Sequence, residues 1–151
     1  MNLELITHED INFIYEVLQD PELLRLARGP NASSVSIESL EAEIASIPGA
    51  WWIMLDGERK IGWIRLTPIS ALQADIGIVI VDPEDRQKGI GELFCTYILQ
   101  QIAIPLFREV YWHTWLYNHA SLKLAAKLGF EPLMVEGEQI SFILRSKKID
   151  S

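Results

Sequence analysis

The sequence predicts a mixed α+β sandwich around one central sheet, folded as a single domain over residues 1–151. Three observations carry this. Short apolar runs with strand character alternate along the chain with runs of helical spacing. Two hairpins stand out, one around Asp56-Gly57 and one around Glu136-Gly137. No repeat, linker or low-complexity stretch interrupts the 151 residues, and a chain of that length can bury about 70% of its unfolded surface.

The elements follow in order. Residues 3–6 alternate and predict a first strand. Thr7 and Asp10 have the spacing of a capped helix start, and Ile11, Ile14, Val17 and Leu18 then share one helical face. Asp20-Pro21 closes that helix or opens the next, with residues 22–28 forming a second short helix. Residues 29–36 are polar and turn-rich, a loop of the kind that can cover a cleft. Ile37, Leu40, Ile44 and Ile47 predict a third helix, ended by Pro48-Gly49.

Residues 51–55 and 61–66 read as paired strands joined through Asp56-Gly57. Residues 68–73 break the pattern, and 74–81 form the next strand. A helix is expected over residues 90–104, with Ile90, Leu93, Phe94, Tyr97 and Ile98 inward, until Pro105 interrupts. Residues 110–117 form a strand rich in aromatic side chains. Residues 118–128 form a helix with Leu122, Ala125 and Leu128 inward, closed by Gly129. Residues 130–135 and 139–144 make the last hairpin.

Composition narrows the function classes. Hydrophobic residues at 49% and charged residues at 23% suit a soluble globular protein. The net charge of −8 disfavours non-specific nucleic-acid binding. It would suit a cationic acceptor, although solubility alone explains an acidic surface. The one cysteine, Cys95, excludes an internal disulfide and falls within a helix, where it reads as buried filler. The start, Met1 to Leu5, has neither the basic region nor the apolar stretch of a signal peptide, and no run approaches the roughly 20 apolar residues that span a bilayer. A cytoplasmic protein without a membrane partner is expected.

Chemistry concentrates at residues 82–91, Asp-Pro-Glu-Asp-Arg-Gln-Lys-Gly-Ile-Gly. An apolar strand precedes this stretch and a helix follows it. The first N–H groups of a helix lack internal partners and sit at the positive end of its dipole, so they attract phosphate. Gly89 and Gly91 allow close approach, and Arg86 and Lys88 add positive charge. The turn lacks the G-x-x-x-x-G-K-[ST] of nucleotide triphosphatases, and Phe94 replaces the third glycine of the dinucleotide pattern.

Arg86-Gln-Lys-Gly89-Ile-Gly91 resembles the pyrophosphate turn of the GNAT family of N-acetyltransferases, R/Q-x-x-G-x-G/A. A second stretch, from Asn118 to Gly129-Phe130, is similar to that family's N-x-x-A/S-x-x-x-Y-x-x-x-G-F signature. The resemblance runs from about residue 61 to 130. It implies a mostly antiparallel sheet of about seven strands flanked by about four helices, with acetyl-CoA as co-substrate. It also implies that backbone groups of Val79, Ile80 and Val81 meet the pantetheine arm. Arg86, Gln87, Lys88, Gly89, Ile90 and Gly91 would hold the pyrophosphate, and Asn118 would bond the pantetheine region or a water near it.

One position departs from the family pattern. Ala125 stands where a tyrosine usually protonates the leaving thiolate. Ser121 matches the serine acid of some ribosomal-protein acetyltransferases of the family, with Tyr117 in reserve; its hydroxyl could instead cap the helix.

Acetylation of an amine with a pKa of about 10.4 also needs a base. His113 lies near the spacing at which related enzymes carry a glutamate, and the alternative is a strand histidine packed beside Tyr111 and Trp115. Asp75 matches a carboxylate used by other members, although a solvated strand-end carboxylate explains it as well. His8 and His119 read as surface or cap residues, and no ligand spacing predicts a metal. Trp51, Trp52, Trp63, Trp112 and Trp115 could line an acceptor pocket, but most are expected to pack the sheet.

The reading is an acetyl-CoA-dependent N-acetyltransferase in which a primary amine, of a small molecule or a protein N-terminus, attacks directly within a ternary complex. A homodimer is left open. The alternative is a CoA-binding module with little turnover, and a pure interaction domain would make the glycine turn accidental.

Overall fold

The computed structural model describes residues 1–146. Seven strands form one sheet in the order β1-β2-β3-β4-β5-β7-β6. They are β1 (Asn2–Leu5), β2 (Trp51–Asp56), β3 (Arg59–Pro68), β4 (Gln73–Ile80), β5 (Glu109–Trp115), β6 (Glu131–Glu136) and β7 (Gln139–Arg145). The helices are α1 (His8–Val17), α2 (Pro21–Arg28), α3 (Ile37–Ser46), α4 (Ile90–Ile98), the single turn α5 (Ile104–Leu106) and α6 (His119–Lys127). The mostly antiparallel α+β architecture is the one expected, with more helical segments than the four foreseen.

By its contacts the chain forms two compact units, Met1–Ile64 with Ile78–Asp85, and Arg65–Gly77 with the described residues from Arg86 onward. In the first, β1 pairs antiparallel with β2, from Asn2 opposite Leu55 to Leu5 opposite Trp52. Its core collects Ile11, Ile14, Val17, Leu18 and Leu40 around Trp51, Ile53 and Trp63. The α1 face is therefore the one its spacing predicts. Each such side chain contributes about 1.5–3 kcal/mol by leaving water. The start of α1 is tied by Asp10, whose carboxylate accepts from the Thr7 N–H at 2.8 Å and the Thr7 hydroxyl at 3.0 Å. Burial alone would raise the Asp10 carboxyl. Lys60 at 2.7 Å and the two Thr7 bonds outweigh that and hold it below the usual carboxylate range.

In this unit a Cβ on Gly62 would lie 1.9 Å from the Val79 carbonyl oxygen, so β3 and β4 approach more closely than any side chain allows. The Val81 N–H donates to the Ile61 carbonyl at 3.0 Å.

In the second unit β4 and β5 run parallel, with Gln73, Ala74 and Asp75 opposite Glu109, Val110 and Tyr111. Strand β5 pairs antiparallel with β7 along its whole length, from Glu109 opposite Arg145 to Trp115 opposite Gln139. Alternation along β5 is clean. Val110, Trp112 and Thr114 are buried, whereas Glu109, Tyr111, His113 and Trp115 occupy the other face.

Helix α4 corrects part of its expected face. Ile90, Phe94, Cys95 and Ile98 are buried, but Leu93 and Tyr97 are 57% and 54% exposed. Burial of Gly91 and Cys95 turns the inward arc away from those two positions. The helix does not simply stop at Pro105. A π-helical segment, Leu99–Ala103, leads into α5, and this widened stretch breaks the regular ladder where proline would remove a donor.

Candidate active site

The expected phosphate turn lies directly ahead of α4. Gln87 and Gly89 adopt left-handed conformations, φ 64° and 78°, on either side of Lys88. Gly89 is the N-cap of α4 and supplies no side chain to satisfy the first amides. A Cβ at Gly89 would meet nothing within 4 Å, so the space beside that residue is open. Just ahead of the turn, the buried Asp85 accepts two hydrogen bonds from Arg59, at 2.7 and 3.0 Å. That bidentate pair fixes the chain at the residue preceding Arg86.

Asp75 and His113, 38 residues apart, meet. His113 Nδ1 lies 2.6 Å from Asp75 Oδ1. The other carboxylate oxygen, Oδ2, accepts from Arg65 at 3.0 Å. Asp75 is therefore no solvated strand-end carboxylate: its side chain is only 14% exposed, against 39% for His113. A carboxylate can only accept, so in the neutral ring this contact favours the proton on Nδ1 and leaves the lone pair on Nε2. The Asp75 hydrogen bond is the larger influence on His113 and raises its pKa above the ordinary value, against the opposing effects of burial and Arg65. The His113 ring also stacks on Tyr111, with centroids 6.2 Å apart.

Asn118 and Ser121 meet at the start of α6. Asn118 is the N-cap, and its Oδ1 accepts from the Ser121 N–H at 3.3 Å. The capping role weighed for Ser121 thus belongs to Asn118, because Ser121 is already the third residue of the helix. Its Oγ instead accepts from Trp112 Nε1 at 2.9 Å. Ala125 is fully buried and offers no donor.

The chain matches the acetyltransferase (GNAT) domain family over residues 1–131. It belongs to the GNAT family. No curated protein matches it. Solved structures share the fold at low identity. A domain from Methanocaldococcus jannaschii is 17% identical, with a TM-score of 0.82, covering 95% of this chain and 97% of that one. A spermidine N-acetyltransferase from Vibrio cholerae, in complex with CoA and spermine, is 18% identical, with a TM-score of 0.76 and coverage of 97% and 96%. The yncA protein from Salmonella typhimurium, with its cofactor acetyl-CoA, is 14% identical, with a TM-score of 0.77 and coverage of 99% and 96%.

Other features of this GNAT chain lie apart from the expected residues. Trp51, Trp52, Trp63 and Trp112 are buried, which leaves only Trp115 to face an acceptor; it stacks on Tyr117 at 6.4 Å. Burial pushes the Cys95 thiol up to about 12, so it is no nucleophile. A pocket of about 590 Å³ is lined by Gln73, Arg108, Glu109 and Arg145 with neighbouring residues, and no expected site residue lines it. Among the described residues no group of three or more His, Cys, Asp or Glu could hold a metal, and no helix is long and apolar enough to cross a membrane.

Sequence reasoning missed Arg65 and Arg59. Each binds its carboxylate through strand packing, at separations of 10 and 26 residues. No local motif signals either pair.

Proposed function

We propose that this chain is an acetyl-CoA-dependent N-acetyltransferase in which a primary amine attacks the thioester directly within a ternary complex. The observation that carries the mechanism is the 2.6 Å contact between His113 and Asp75. Acetyl-CoA supplies the activated acyl group and a thiol leaving group with a pKa of about 8.5. Arg86, Gln87, Lys88, Gly89, Ile90 and Gly91 hold its pyrophosphate, through the uncapped amides of α4 and the left-handed residues beside them. Val79, Ile80 and Val81 offer backbone groups to the pantetheine arm.

His113 takes the amine proton at Nε2, with Asp75 fixing the ring and steadying the imidazolium that results. Ser121 donates to the departing sulfur. Its oxygen already accepts from Trp112, which directs its own proton elsewhere. The family match spans both compact units, and this supports treating residues 1–151 as one catalytic domain.

Asn118 followed by Ser121, with Ala125 in place of tyrosine, supports the ribosomal-protein N-acetyltransferase type and hence a protein N-terminus as acceptor. The spermidine N-acetyltransferase of the same fold supports including polyamines among acceptors to be tried. A cytoplasmic location fits a reaction that consumes acetyl-CoA. Burial of Ala125 favours a second reading, a CoA-binding module with little turnover. Release of free thiol from acetyl-CoA across a panel of N-terminal peptides, polyamines and amino acids tests the proposal. CoA binding with no thiol release from any acceptor would establish the second reading instead.

A further inference from the structure

Arg65 crosses from β3 to reach Asp75 on β4. Its guanidinium lies flat against Gly77, two residues further along β4. A Cβ there would come within 3.0 Å of Cζ and Nη2 and 3.1 Å of Nε. The same Nη1 that donates to Asp75 Oδ2 also donates to Thr67 Oγ1 at 3.3 Å. The guanidinium is thus held by a bare backbone seat, a hydroxyl and a carboxylate.

We propose that Arg65, seated on Gly77, is a positioning residue for acetyl transfer: it holds the Asp75 carboxylate so that Oδ1 meets His113 Nδ1 and leaves His113 Nε2 to work. This rests on the reading of His113 as the base. The argument is geometric. A carboxylate attached through one methylene rotates freely unless both oxygens are engaged, and here each oxygen has its own partner. The neighbouring carboxylate does not compete. Glu109 Oε1 accepts from Gln73 at 2.8 Å and from the Tyr111 hydroxyl at 3.1 Å. The groups facing His113 are therefore few. Asp75 comes from β4, Arg65 from β3 and Tyr111 from β5, and Ser141 stands opposite on β7.

Arg65 also opposes charge on the imidazole, whereas Asp75 favours it. The two influences have opposite sign, which makes them separable. The test is an NMR titration of the His113 ring in the free enzyme, alongside the pH profile of kcat/KM. Because the Asp75 bond outweighs the Arg65 charge at His113, Arg65→Gln is expected to move the His113 midpoint to lower pH, as Asp75→Asn does, and a shift to higher pH would show that Arg65 acts through its charge alone and overturn the positioning role. Neutral His113 in the unaltered protein is expected as the Nδ1–H tautomer, a preference that Arg65→Gln weakens. Gly77→Ala displaces the guanidinium without removing its charge and should weaken the same preference with a smaller change in midpoint. A midpoint and tautomer unmoved in both Arg65→Gln and Gly77→Ala overturn the proposal. The base reading fails separately, if His113→Gln retains the acidic limb of kcat/KM.

Discussion

Trp112 Nε1 donates to Ser121 Oγ at 2.9 Å, and the indole is only 2% exposed. Ser121→Ala therefore orphans a buried donor, at a cost of about 1–3 kcal/mol. For a chain of this size that lowers Tm by about 2–4 °C per kcal/mol. A falling Tm alone thus does not argue against catalysis. If Ser121 is the acid, kcat in the folded enzyme drops by about 10²-fold with acetyl-CoA affinity unchanged. Unchanged kcat would confine the serine to supporting Trp112 and turn attention to Tyr117.

His113 has a raised pKa in the folded protein, with Asp75 as the main cause. Its pairing stabilises the fold fully below the unfolded value of 6.5 and is lost as pH rises through the higher folded value. His113→Gln is expected to lower Tm more at a pH of about 5.5 than at about 9. Its kcat/KM should fall by about 10²-fold near neutrality and lose the rise with pH that the base produces. A Tm difference that grows toward alkaline pH would contradict the pairing.

The Arg59–Asp85 pair predicts a coupling between stability and the phosphate turn. Asp85 is 3% exposed and immediately precedes Arg86. Asp85→Asn keeps the shape but loses the charge-assisted bonds, which should cost about 1–3 kcal/mol. Calorimetry should also show weaker acetyl-CoA binding in the folded variant. Stability lost with affinity retained would show that the pair anchors β3 alone.

Gly62 and Gly89 separate two uses of glycine. Gly62→Ala drives a Cβ into the Val79 carbonyl, and should cost about 4 kcal/mol or more, or prevent folding. Gly89→Ala meets no atom but must hold a left-handed φ of 78°, a cost of about 1–2 kcal/mol. Urea melts of both variants check the contrast, and similar costs would refute it.

Local chemistry was legible in the sequence. The Thr7–Asp10 start of α1 and the Asp56-Gly57 hairpin lie where spacing puts them. Asn118 opens α6 and Gly89 opens α4. What the chain did not reveal depends on neighbours distant in sequence. The partial burial of Asp75 needs Arg65 and His113 from adjacent strands, and the exposure of Leu93 and Tyr97 depends on which side of α4 is covered. Apolar spacing names a helical stripe but not its centre, so residues at its margin are the ones misplaced.

Strand β6 closes one side of the sheet, and all six of its residues are exposed. Leu133, Met134 and Val135 stand in sequence there, apolar and unprotected. Such a border invites fibril growth, because an incoming chain finds an unpaired ladder and a greasy surface together. Three features spoil the template. The pairing slips between Pro132 and Met134, proline contributes no donor, and glutamates stand at both ends. The features that guard this border all lie on β6, and straightening it is expected to trade solubility for self-assembly.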